Sequence, residues 1–192
     1  MSVRVHSWLK NTPPMKPKPN IRMLAQAKKY VSKVGYCLVF PDKKKDLPNL
    51  WDMIDLPEKQ PGEKGWGQKV GAIWSWKNQL ASDYPDEIFY GKGAKGKSVL
   101  MTLTYLKETQ HPEFHRPIAE CSRMARDIYE LARIEPLTTT VLRKAILKGD
   151  KTRKHAFAKA LVELQVTLNI VRSNAPEITS DTWVRFDEQY RE

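Results

Sequence analysis

TTTVLRKAILKGDKTRKHAFAKALVELQVTLNIVRS, residues 138–173, reads as two amphipathic segments joined by a short turn. The first runs from about Thr138 to Lys148, with Val141, Leu142, Ala145 and Ile146 on one side. Gly149 follows, a residue that accepts the left-handed backbone of a helix end without a Cβ clash. The second runs from about Thr152 to Leu168, where Phe157, Leu161, Leu164 and Leu168 recur as one stripe of a 3.6-residue helix. Helix, tight turn and second helix is the helix-turn-helix pattern.

Working outward, Asn169–Ser173 is a short β-prone run. Residues 174–181 are rich in turn formers, and Thr182–Phe186 alternates again around Trp183 and Val184. A hairpin straight after the second helix is the wing of a winged helix. Upstream, Glu120–Arg133 carries Met124, Ile128 and Leu131 at helical spacing and supplies a first helix.

Charge gives this region a chemistry. Arg143, Lys144, Lys148, Lys151, Arg153, Lys154 and Lys159 face a single carboxylate, Asp150, across the two segments. In helix-turn-helix proteins the second helix enters the major groove with its N-terminal residues at base edges. Arg153, Lys154, His155 and Lys159 occupy that end here. Thr138, Arg143, Lys144 and Arg172 are the candidates for the DNA backbone, since hydroxyls, cations and helix N–H groups all bind phosphate oxygens, and Lys151 is a further nucleic-acid-binding candidate. The competing readings are a solvated basic face and a protein-docking winged helix.

The chain has 192 residues, a hydrophobic fraction of 41%, a net charge of +11 and a pI near 9.6. That is enough chain for one domain or two small ones. The charge favours polyanionic partners. Two cysteines, Cys37 and Cys121, do not make a disulfide framework and fit a reducing cytosol. No apolar leader or membrane span is legible, so a cytoplasmic protein without membrane association is expected.

The expected fold class is α+β, a C-terminal winged helix-turn-helix with an N-terminal α/β part. The expected division is a basic Pro-rich arm over 1–20, the α/β part over 21–116 and the winged helix over 117–192. In the N-terminal part, Asn20 is placed to cap a helix over 21–34, and Tyr36–Phe40 reads as a buried strand. Leu47–Ile54 suits a helical turn, and Gln68–Ala81 a second helix. Glu87–Lys92 and Lys97–Leu103 read as strands joined at Gly93–Gly96. Gln110–Pro117, bounded by prolines, is the expected junction. No internal repeat is legible.

Three constellations remain. His111 and His115 have helical metal-ligand spacing, but Pro112 and Pro117 argue against a regular helix and there is no third ligand nearby, so no metal is expected. Gly91–Ser98 matches the bare phosphate-loop string, yet Ser98–Leu103 is β-prone where a helix is needed; a basic hairpin tip fits better. Trp74, Trp76, Lys77, Tyr90 and Lys92 interleave aromatic and basic character. They are candidates for base stacking or a pocket, or they fill the core of the N-terminal half. No catalytic motif and no cofactor are evident.

GYCLVFP (35–41), LPNLWD (47–52), IWSWKNQL (73–80) and FYGKGAKGKSVLMTLTYL (89–106), followed by the winged helix, resemble proteins related to the AlkZ-type winged-helix DNA glycosylases. The resemblance covers about residues 30–185 and implies tandem winged-helix units that grip duplex DNA. In the glycosylases it also implies a Gln–apolar–Gln or Gln–apolar–Asp motif that activates water. None of the glutamines at 26, 60, 68, 79, 110, 165 and 189 begins one; Gln165-Val166-Thr167 ends in the wrong residue. The expectation is therefore duplex DNA binding, in repair or regulation, with a glycosylase or a protein-interaction module as alternatives.

Overall fold

The structure is a computed structural model that describes residues 18–43, 47–175 and 180–190. Most of the Pro-rich arm, two of the lysines after Lys43 and the centre of the 174–181 turn lie outside them.

The first helix, α1 (Leu24–Val34), is built from Ala, Lys and Leu, all good helix formers. It buries Ala27 and Val31. Asn20 does not cap it. The helix starts three residues later than the sequence indicates, at Leu24 with Met23 as its N-cap, because Ile21 is held in a parallel bridge to Ile54 and the Arg22 guanidinium grips Asp55 at 2.7 and 2.9 Å. Gly35 ends the helix with φ +73° and donates to the Val31 carbonyl at 2.9 Å. Strand β1 (Tyr36–Leu38) follows, then a tight 3₁₀ turn at Trp51–Met53. After a loop come α2 (Gln68–Asp83) and the hairpin β2 (Ile88–Lys92) and β3 (Ser98–Thr102). β1 pairs antiparallel with β3, in register Cys37 with Leu100, so the strand order is β1-β3-β2. The phosphate-loop string thus falls in a hairpin, with Ser98 opening a strand where a phosphate loop needs a helix.

Residues 103–114 form one helical segment: α3 (Leu103–Tyr105), a π-helical turn at Leu106–Gln110 and α4 (His111–Phe114). Pro112 does not break it. It lies at the start of α4, where a missing N–H is tolerated. The His111 and His115 rings stack at 4.5 Å, so the one-face reading holds, while the π-helical turn before them and the extended backbone of His115 keep the segment from being a regular helix.

The C-terminal half comprises α5 (Arg123–Ala132), β4 (Leu137–Thr138), α6 (Thr139–Leu147), α7 (Lys154–Val166), β5 (Ile170–Arg172), β6 (Thr182–Arg185) and α8 (Phe186–Gln189). Its sheet runs β4-β6-β5, antiparallel, with Leu137 beside Trp183 and Val171 beside Val184. Leu168 is not part of the second helix. It takes φ +53° in the turn that follows, and its side chain is buried under the sheets.

The fold is α+β, helices with two small antiparallel sheets. Each half runs helix, strand, helical turn or helix, helix, hairpin, and in each the first strand lies beside the last. One apolar cluster sits in each half: Val31, Cys37, Leu50, Ile73, Leu80 and Leu100 in the first, and Ile128, Leu142, Phe157, Leu164, Ile170 and Trp183 in the second. A third joins Leu38, Phe89, Val99, Met101 and Leu106 to Leu168, Val171, Val184 and Tyr190. The halves therefore meet through packed side chains. At their contact Gly96, φ +71°, lies so close to α7 that a Cβ would sit 2.8 Å from Val162 Cγ1.

Candidate nucleic-acid interface

The region around the α6–α7 turn is set by local capping. The Thr138 hydroxyl accepts from the Val141 amide at 3.3 Å and starts α6. Lys148 (φ +46°) and Gly149 (φ +89°) turn the chain through the left-handed region at its end. Asp150 then accepts from both the amide and the hydroxyl of Thr152, at 2.9 and 2.6 Å, and these bonds hold its carboxyl below the usual range. The one carboxylate in the basic run is thereby committed to the turn. A single 3₁₀ turn, Lys151–Arg153, leads into α7.

Burial on α7 divides by face and by length. Phe157, Ala160, Leu161 and Leu164 point inward. Lys154, His155 and Lys159 are exposed, as are Arg143 and Lys144 on α6 and Lys151 and Arg153 in the turn. The Arg143 guanidinium lies 5.8 Å from the Phe157 ring centre, so its stem crosses the core edge while its charge stays outside. Farther along α7, Val162 meets the N-terminal hairpin and Gln165 is buried. Only the first two turns of the helix stand free. Lys148, Arg153 and Arg123 also border an open cleft of about 660 Å³ between α5, α6 and the start of α7, opposite Asp127.

Arg172 is not with this group. It is 9% exposed, and its guanidinium holds Asp181 at 2.9 Å and the Ser173 carbonyl at 3.3 Å. It belongs to a second cluster at the seam between the halves. There Lys77 of α2, only 5% exposed, places Nζ 4.6 Å from the centre of the Trp74 ring and 4.8 Å from that of Tyr90. Its hydrogen-bond partner is Asn78 Oδ1 at 3.1 Å. Lys92 donates to Ser98 Oγ at 3.0 Å. Burial pulls the Lys77 ammonium down to about 8; Arg172 and Lys92 add to the effect and Asp181 opposes it. Lys92 is lowered as well, by burial against the pull of Asp181. Burial raises Tyr90.

The structure thus brings Trp74, Lys77, Tyr90, Lys92 and Arg172 together, and packs Trp76, half-buried, against the first apolar cluster. Four residues at this place are not apparent from sequence reasoning. Phe40 and Trp66 extend a ring series through Trp74 and Trp51, and Asp181 and Ser98 supply polar partners. The one linear signal was Trp66 between two glycines, Gly65 and Gly67.

Among the described residues no group of three or more His, Cys, Asp or Glu side chains is placed to hold a metal ion. None of their helices is long and apolar enough to cross a membrane.

Comparison of the chain with curated proteins finds no significant match, and comparison with solved structures finds none either. A family model described as "AlkZ related" matches residues 21–182, which span both halves and every element from α1 to the first residue of β6. The chain belongs to the AlkZ-related family.

Proposed function

We propose that the C-terminal half is a winged helix-turn-helix that binds duplex DNA, in repair or regulation. Three facts support the reading: the α-β-α-α-β-β order with its β4-β6-β5 sheet, the free N-terminal end of α7, and membership of the AlkZ-related family. The observation that carries it is the set of seven exposed cationic or titratable side chains, Arg143, Lys144, Lys151, Arg153, Lys154, His155 and Lys159, gathered on α6, the turn and two turns of α7. The nearest sequence carboxylate, Asp150, is occupied by Thr152.

In this reading Lys154, His155 and Lys159 enter the major groove with Arg153 at its edge. Thr138, Arg143, Lys144 and Lys151 lie along the phosphates. Arg172, held by Asp181, acts at the seam.

The test is fluorescence anisotropy of a labelled duplex of about 20 base pairs across salt concentrations. The expected log–log slope is roughly −4 to −7, from counterion release at the phosphates. Lys154→Glu combined with Lys159→Glu, two exposed positions that leave the core alone, is expected to abolish binding at moderate salt. Unchanged affinity in that variant would remove the proposal.

A further inference from the structure

Four aromatic rings form a continuous series on the N-terminal half. Trp51 lies 5.7 Å from Phe40, Phe40 lies 6.4 Å from Trp74, and Trp74 lies 5.9 Å from Trp66, centre to centre. The residues come from four separate places: the 3₁₀ turn, the loop after β1, α2 and the loop before α2. Trp66 is 70% exposed, Trp74 45% and Phe40 40%. A folded chain does not leave two tryptophans and a phenylalanine side by side in water without cost; contiguous exposed apolar surface marks a binding surface.

The ring planes are tilted by 35–58° to one another, so the rings do not use up their faces by stacking among themselves. Two lysines back the series from below. Lys69 Nζ lies 4.6 Å from the Trp51 ring centre, and Lys77 Nζ 4.6 Å from that of Trp74. Lys77 leads on to Lys92 and Arg172 in the seam. Lys69 has Glu58 at 3.1 Å, whereas Lys77 makes no carboxylate ion pair among the described residues.

We propose that the Phe40–Trp74–Trp66 strip, with Lys77 against the Trp74 ring and Lys92 behind it, binds unpaired nucleotides of a nucleic-acid strand. Bases of any identity stack on aromatic faces, and the positive field of cations behind the rings favours the phosphates between them. A protein partner fits the surface less well. Tryptophans anchor protein interfaces as well, but the lysine ammonium groups on the Trp51 and Trp74 rings and the net charge of +11 favour a polyanion. Besides Trp74 the exposed residues of α2 are Gln68, Ser75 and Gln79, polar and uncharged, and Asp83 at its far end. The site is distinct from the α7 surface, and it extends the nucleic-acid reading to unpaired strand without requiring the duplex proposal to hold.

The experiment titrates the full chain with (dT)20 and, separately, with a 20-base-pair duplex, reading both anisotropy and tryptophan emission. Stacking is expected to quench tryptophan emission with (dT)20. Trp66→Ala with Trp74→Ala is expected to weaken (dT)20 binding roughly tenfold or more and to leave duplex affinity unchanged. Trp66→Phe with Trp74→Phe, which keeps two rings, is expected to retain most of the (dT)20 affinity. Lys154→Glu with Lys159→Glu is expected to do the reverse of the alanine pair, losing duplex and keeping (dT)20. Unquenched emission, or equal (dT)20 affinity in the alanine pair when urea unfolding shows it folded, overturns the proposal and leaves the strip to a protein partner. Loss of duplex binding alone would bear on the duplex proposal and not on this one.

Discussion

Helices α2 and α7 hold the same place in the two halves, each the last helix before a hairpin, and they turn opposite chemistry outward. On α7 the apolar residues Phe157, Leu161 and Leu164 face in and Lys154, His155 and Lys159 face water. On α2 two lysines face in, Lys69 at 9% and Lys77 at 5% exposure, while Trp74 faces out. The lysines are tolerated inside because their stems are apolar and their ammonium groups lie on ring faces, Trp51 for one and Trp74 and Tyr90 for the other. Two helices on one topology can therefore serve different surfaces: one reads as a cationic face, the other as an aromatic one.

The most damaging way to break the comparison is to remove the large ring that α7 keeps inside. Phe157 is 1% exposed, and Phe157→Ala is expected to lower stability by about 3–5 kcal/mol. Urea unfolding would show this as a large drop in midpoint. A loss below about 1 kcal/mol would mean that the second cluster does not hold the C-terminal half together. The shared third cluster leads us to expect a single transition, so the N-terminal half should unfold with it.

The next effect concerns Lys77 and depends on pH. Its folded value, about 8, lies below the ordinary 10.5. Below pH 8 both folded and unfolded chains carry the charge, and the folded chain bears the full cost of burying it. Between 8 and 10.5 the unfolded chain binds more protons, so stability contributed by this group rises with pH. The gap is worth at most about 3 kcal/mol, and about 1–2 kcal/mol once screening by nearby solvent is allowed for. Lys77→Met should therefore be more stable than the natural chain at pH 7 by about that amount, and the advantage should fade as pH approaches 10. Subtracting the two urea series at each pH cancels the buried tyrosines and Cys37, whose raised values act in the opposite direction. A difference that does not change from pH 7 to 10 would place the Lys77 ammonium in water.

These contrasts also mark what the sequence could disclose. The α6–α7 pair and the 88–102 hairpin were legible because their signals are local: apolar residues at helical spacing, a glycine after Leu147 and Lys148, β-prone runs about a glycine turn. The capping role of Asn20 was misread because the start of α1 is set by the bridge of Ile21 to Ile54, 33 residues away. The common course of the two halves was hidden because the N-terminal half replaces a helix with a long loop before α2, and because the inward positions of α2 include lysines. Lys77 and Trp74 looked alike as members of Trp-x-Trp-Lys; only packing sent Trp76 and Lys77 inward and left Trp74 outside. Phe40 and Trp66 stand 26 positions apart in loops, and only the fold makes them neighbours of Trp74.

Capping supplies a further contrast. Thr138 caps α6 with its hydroxyl, and Thr138→Ala is expected to cost about 1 kcal/mol in urea unfolding. Helix α2 begins at Gly67 without a side-chain cap. By propensity Gly67→Ser should improve it. A Cβ at this position, however, would lie 2.5 Å from the backbone nitrogen of Lys59, and backbone cannot yield as a side-chain tip can. Gly67→Ser is therefore expected to destabilise by roughly 1 kcal/mol or more. A gain in stability would show that the 57–67 loop can move away from α2.

The smallest expected effect separates packing from function most sharply. Trp66 is 70% exposed, and its ring contact is with Trp74 at 5.9 Å. Its removal opens no cavity, because most of the ring already touches water. What Trp66→Ala loses is one tilted aromatic contact, worth about 0.5–1.5 kcal/mol when both rings are well buried and less at this exposure. The expected change in unfolding free energy is within about 0.5 kcal/mol, near the scatter of surface substitutions. If Trp66→Ala instead cost as much as Thr138→Ala, the aromatic strip would be a brace tying the 57–67 loop to α2, and the outward turn of its rings would serve the fold. A near-zero cost means that stability does not hold Trp66 in place. A large ring that folding does not need, set beside two others and with the Lys77 ammonium against one of them, is then free to serve what it contacts in solution.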